Sequence, residues 1–278
     1  VTCTGGVSRP KQLLNERLTK VKKRISKIKI IARTSRSARK LFSASAYPAA
    51  TFGHEACGIT PYRLLILERE ALACSGIKPH GRCRETALCV MYGLHGTPNA
   101  RIIRDTIKSW VSLLRSGNFD FNEVATAWAR ARILICSSNK PHTLVHGIMS
   151  NVICIIKAAG WMPYKFDLWV DTKNAHWKIN PAEASTLVSA QLIRDTHHAQ
   201  LSRISQHHNG KGMLIGIDWE YTLRLIRVLR KSKINYQLLC ALETFLSGAC
   251  WPQERVKGIN PIISDECPRC LQRGLHVI

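Results

Sequence analysis

Acidic side chains are scarce in this chain: 18 Asp and Glu stand against 41 Lys and Arg, a formal charge of +23. The aspartates, at 105, 120, 167, 171, 195, 218 and 265, are never adjacent. That leaves no paired-Asp site of the kind two-metal nucleotidyl transfer uses. A glycine-rich phosphate loop, a dinucleotide fingerprint and a serine or cysteine nucleophile in a recognisable setting are also missing. The residues therefore outline no self-sufficient active site. The longest apolar run, Leu144 to Trp161, is interrupted by His146, Asn151 and Lys157 and is too short to span a bilayer. No targeting segment is visible. The 11 cysteines, odd in number and scattered over the whole length, suit reduced thiols better than a disulfide framework. These traits predict an intracellular protein, nuclear or cytoplasmic, with no membrane partner. A first residue of Val1 and a stop at Ile278, soon after a cysteine pair, predict a piece of a longer polypeptide.

A hydrophobic share of 45% and a mean hydropathy of −0.08 describe a folded protein rather than a disordered basic tail. The charge is concentrated at one end. Residues 9 to 40 hold thirteen Lys or Arg against one acid, Glu16, a net +12. They include Lys20, Lys22, Lys23, Arg24, Lys27, Lys29, Arg33 and Arg36. Apolar side chains at Leu14, Leu18, Val21, Ile25, Ile28 and Ala32 recur every three or four residues, which predicts one helix packed by that seam with its cations outward. A solvated helix face is the ordinary meaning of a charge run. Here +12 without compensating acids repels itself, which points to a polyanion partner, RNA or DNA.

Pro48, Gly53 and Gly58 are expected to break the basic helix into a compact turn region. Further helices are predicted over 61–73, 84–94, 98–114, 123–136, 143–159, 181–206, 219–230 and 234–246, with Asp218 as an N-cap. One hairpin is predicted, Tyr164 to Val170 against Ala175 to Ile179. Arg224, Arg227 and Lys231, opposite Leu223, Ile226 and Leu229, form a second candidate phosphate-facing surface; Arg101, Arg104 and Lys108 are a third. His197, His198, His207 and His208 read as surface histidines. His142 and His146 lack the intervening Glu of a zinc hydrolase. In the tail, Cys267-Pro-Arg-Cys270 forms the kind of turn that grips zinc, and His276 supplies a third ligand; a structural site needs a fourth.

The segment Pro48-Ala-Ala-Thr-Phe52-Gly53-His54-Glu55-Ala-Cys-Gly58, between a basic helix and a Leu-rich one, resembles the region after the catalytic palm in non-LTR retrotransposon reverse transcriptases. Gly81-Arg82-Cys-Arg84 and His95-Gly96-Thr97-Pro98 are similar to patterns in the retroelement polyproteins of dinoflagellates, with Thr97 where Asp is expected. Gly248-Ala-Cys-Trp251-Pro followed by Cys267 and Cys270 extends the likeness, which covers residues 11 to 115 and the last thirty. It implies a thumb-like and connector region that grips a template–primer duplex. The palm, with its Asp pair and Mg²⁺, would precede this chain, and a zinc knuckle ahead of a ribonuclease H-like domain would end it. The rest of the polyprotein would then be the partner at both ends, and Glu55 and the turn glycines would be structural.

The sequence thus predicts a mainly α protein: a helical thumb-like and connector bundle with one small β-hairpin and an incomplete C-terminal zinc knuckle. Its segments are a basic helix and turn (9–58), a helical connector with the hairpin (59–180), C-terminal helices (181–250) and the tail (251–278). The fragment itself is expected to be inactive. The alternative is a free-standing helical protein whose basic helix docks an acidic protein.

Overall fold

The computed structural model describes residues 11–35, 37–77, 82–179, 185–206, 213–231, 236–248, 257, 260–262 and 264. These residues are mainly helical, with one small sheet. No helix among them is long and apolar enough to cross a membrane.

The basic helix α1 (Lys11–Thr34) ends earlier than its charge does. After a turn, α2 (Ala38–Leu41) runs through a π-helical turn, Phe42–Ala46, into α3 (Tyr47–Thr51). Pro48 therefore does not break the chain, contrary to the sequence expectation. It sits in the first turn of α3, where a missing N–H costs little. The break comes at Gly53, whose φ of 76° only glycine adopts readily, before the short α4 (His54–Cys57). Next comes α5 (Pro61–Ala73), opened by Pro61 and capped by Thr60, whose hydroxyl accepts from Arg63 N at 3.3 Å. The seam residues Val21, Ile25, Ile28 and Ala32 join Phe42, Tyr47, Leu67, Leu72 and Leu88 in one buried cluster.

The largest cluster gathers around α7 (Pro98–Arg115), α8 (Phe121–Ser137), α9 (Ile148–Ala158) and α10 (Ser185–Ser205). Thr97 caps α7 despite replacing the expected Asp, accepting from Ala100 N at 3.3 Å. Helix α9 starts five residues later than predicted. Ser150 Oγ accepts from His146 N and Gly147 N at 2.9 and 3.1 Å, and this local capping stops the helix from extending backwards. Lys157 donates to the carbonyls of Ile135, Cys136 and Ser138 at 2.8–3.1 Å, closing the carbonyl end of α8 with a cation.

The predicted hairpin is a three-stranded antiparallel meander: β1 (Met162–Lys165), β2 (Leu168–Val170) and β3 (His176–Lys178), in that order. The first expected strand folds back at Phe166 and Asp167, where the sequence carries no glycine or proline to mark the turn. Trp110 and Trp128 donate their indole N–H groups to Phe166 O and Pro163 O, at 3.1 and 3.2 Å, and hold the sheet on the helices. Asp171 organises the second turn by accepting from Lys173 N, Ala175 N and Trp177 Nε1. Desolvation opposes its ionisation, but those hydrogen bonds prevail and hold its pKa below the ordinary value.

A third cluster joins α6 (Arg84–Tyr92) to α11 (Trp219–Lys231) and α12 (Tyr236–Leu246). Asp218 caps α11 as predicted, accepting from Glu220 N and Tyr221 N at 3.0 and 3.2 Å. Arg230 of α11 is turned inward. It donates to Glu243 of α12 at 3.0 Å and to Val90 O of α6 at 2.8 Å. Nearby, Arg84 lies 3.2 Å from the buried Glu68 and also pairs with Glu85. His197 is a core residue, not a surface histidine. Its Nε2 accepts from Trp219 Nε1 at 2.7 Å, and burial lowers its pKa.

Candidate nucleic-acid interface

Packing α1 by one seam decides which of its cations face water. Val21, Ile25, Ile28 and Ala32 are all 5% exposed or less. Lys20, Lys22, Lys23, Arg24, Lys27 and Arg33 are exposed. At 100° per residue, Lys20, Lys23, Arg24 and Lys27 lie on one flank of the seam, and Lys22 and Arg33 on the other. Two of the helix's cations are otherwise engaged. Lys29, expected to meet phosphate, is paired with Glu70 at 2.5 Å. An ion pair with α5 competes with any external anion for Lys29. Arg17 donates to Phe52 O at 2.7 Å and covers the Phe52 ring, 4.9 Å from its centroid. Arg36 lies outside the described residues.

The turn that follows is fastened from behind. Gly53 and Gly58 both have positive φ, 76° and 62°. The buried His54 donates Nδ1–H to Thr51 O at 2.7 Å; a carbonyl can only accept, so the proton is on Nδ1. Asn151 of α9, itself buried, donates to His54 O at 3.0 Å and Glu55 O at 2.9 Å. Asn151→Ala should therefore cost about 1 kcal/mol, measured by urea unfolding, because Glu55 O loses its donor while His54 O keeps Gly58 N at 2.7 Å. A loss under a few tenths of a kcal/mol would show that water replaces the amide without cost.

On α11 the sequence reading of the faces holds. Leu223, Ile226 and Leu229 are buried, while Arg224, Arg227 and Lys231 are exposed. Beside those cations lie Tyr221, Leu225 and Val228, each more than half exposed. The outward surface of α11 is half apolar, unlike the polar flanks of α1.

The third cationic set changes membership. Arg101 and Arg104 of α7 share an open groove with Arg39 and Lys40 of α2 and with His95. Lys108 is not among the groove's lining residues. The π-helical turn explains the placing of Arg101. In an i→i+5 pattern the carbonyl of Ser43 points at the nitrogen of Pro48, which has no proton to give. Arg101 Nη1 donates to that oxygen at 3.0 Å, and its guanidinium lies 3.6 Å from the centroid of the Tyr47 ring. Arg104 Nη1 donates to His95 O at 3.3 Å. Desolvation, then the charges of Arg194 and Arg104, lower the pKa of His95. The sequence signal for this site was faint: an i, i+3 arginine pair whose partners lie sixty residues earlier.

Cys267, Cys270 and His276 lie outside the described residues, as do His207 and His208. Among the described residues no group of three His, Cys, Asp or Glu is placed to hold a metal ion. The described cysteines, at 57, 74, 83, 89, 136, 154 and 240, form no disulfide. No known protein family, curated protein or solved structure matches the chain.

Proposed function

We propose that this chain is a non-catalytic nucleic-acid-binding body, the thumb-like and connector region of a retroelement reverse transcriptase polyprotein, and that it grips the template–primer backbone. The observation that carries the reading is α1: a helix anchored through Val21, Ile25, Ile28 and Ala32 that presents Lys20, Lys22, Lys23, Arg24, Lys27 and Arg33 to solvent. Cations on a fixed rod can follow a phosphate backbone without reading bases, which suits RNA and DNA alike. Arg224, Arg227 and Lys231 are a secondary contact. Polymerase chemistry with Mg²⁺ belongs to the palm of the parent polyprotein.

The test is salt-dependent duplex binding. Replacing Lys20, Lys23, Lys27 and Arg33 with Gln should weaken affinity equally for unrelated sequences. It should also flatten the slope of log K against log salt by about 0.9 for each lost phosphate contact. An unchanged affinity and slope would remove α1 from the interface. Tight, salt-sensitive binding to an acidic protein with no duplex binding would favour the free-standing alternative.

The tail carries a separate part of the proposal. Cys267, Cys270 and His276 would supply three ligands to zinc, with water or a stray thiol as the fourth. Cobalt should bind weakly and give tetrahedral thiolate absorption that Cys270→Ser abolishes. Without that absorption in the unaltered chain, zinc leaves the proposal.

A further inference from the structure

The groove between α2 and α7 differs in kind from the flank of α1. Its volume is about 500 Å³, within the range of pockets that hold a nucleotide. Arg39 and Lys40 line it from one side of the fold and Arg101 and Arg104 from another, with Tyr92 and the buried Met91 beneath. No acid lines it. Exposed lysines on a helix must be ordered when an anion arrives. Here both arginines of α7 are already ordered by backbone carbonyls, Arg101 by Ser43 O and Arg104 by His95 O. Their remaining N–H groups are held in place before any ligand binds, so binding does not carry that entropy cost.

Four permanent cations around one small space, offset by the single carboxylate of Asp105, favour the anion with the most charge per atom. An internal phosphodiester carries one negative charge, whereas a terminal phosphate carries close to two at neutral pH. The geometry points to this groove as a binding site for the terminal phosphate of a nucleotide, on the end of a nucleic-acid strand or on a free nucleotide polyphosphate. The strand source rests on the nucleic-acid reading of α1; the free nucleotide does not. In the first case α1 holds the duplex and the groove holds an end.

The test compares fluorescence anisotropy of short single strands ending in a 5′-phosphate, a 3′-phosphate or only hydroxyls, each competed with ATP and with pyrophosphate. A phosphate-ended strand should bind about tenfold more tightly than the hydroxyl-ended one, as expected for one additional charge-assisted contact. The Arg39→Gln, Lys40→Gln, Arg104→Gln triple variant should lose that preference and keep duplex affinity. The Gln variant of Lys20, Lys23, Lys27 and Arg33 should do the reverse. Competition by ATP with no strand preference assigns the groove to free nucleotides. Equal binding of all three strands, with no competition by ATP or pyrophosphate, overturns the inference, and duplex binding measured alongside shows whether the α1 reading survives. Circular dichroism checks the fold of the triple variant, and if it is unfolded Lys40→Gln alone, at an exposed position, serves for the same comparison.

Discussion

Glu243→Ala should destabilise the protein by about 3 kcal/mol and lower Tm by about 5 °C. Glu243 is 2% exposed, and its Oε1 accepts from Arg230 Nη2 at 3.0 Å and Nε at 3.3 Å. Arg230 cannot shed its charge, so removing the acid leaves a guanidinium wedged among α6, α11 and α12 with Val90 O and the weakly accepting Met91 Sδ in place of a carboxylate. The low end of the range for broken buried pairs applies because Arg230 keeps some contact with water. The double variant Arg230→Met with Glu243→Leu should recover most of the loss, since no charge is then stranded. Chemical denaturation of the three proteins decides it. A single variant as stable as the parent would mean that Arg230 escapes to solvent without cost.

The second large effect depends on pH. Burial raises the pKa of Glu68 from 4.5 to about 7, outweighing the pull of Arg84, and Glu85 adds to the rise. The folded state therefore holds a proton that the unfolded chain gives up between pH 4.5 and 7. Stability from this group is complete below pH 4.5, falls as pH rises through that window and levels off above 7, a loss of about 3 kcal/mol. Buried His197 has a lowered pKa and contributes with the opposite sign, so the informative quantity is the difference between parent and Glu68→Gln. The glutamine variant should lack the decline and be the more stable of the two at pH 8. Parallel stability curves from pH 5 to 8 would show that Glu68 is already ionised in the fold.

The elements that the sequence made legible are those with an internal period and a chemical cap. Pro61 marked the start of α5, Asp218 that of α11, and the spacing from Val21 to Ala32 picked out the buried seam of α1. What it hid was non-local or against convention. Pro48 reads as a breaker, and only the π-helical turn before it lets the helix pass. The turn at Phe166 and Asp167 is held by tryptophans from distant helices. Lys29 and Arg230 look like their neighbouring cations until Glu70 and Glu243 are placed against them. Charge patterning showed how many cations there are; only packing shows which remain available. The groove was least visible, because it is assembled from α2 and α7 and its arginines are positioned by main-chain oxygens.

The seam of α1 has one more consequence. Because Val21, Ile25, Ile28 and Ala32 complete a core, the exposed cations cannot separate to relieve their mutual repulsion; the fold holds them together. Added electrolyte then acts on the same side chains in two opposing ways. It loosens a bound polyanion, whose release of counterions becomes less favourable, and it screens the crowding of like charges in the free protein. Unliganded protein should melt higher in concentrated salt, while its complex with a duplex should melt lower.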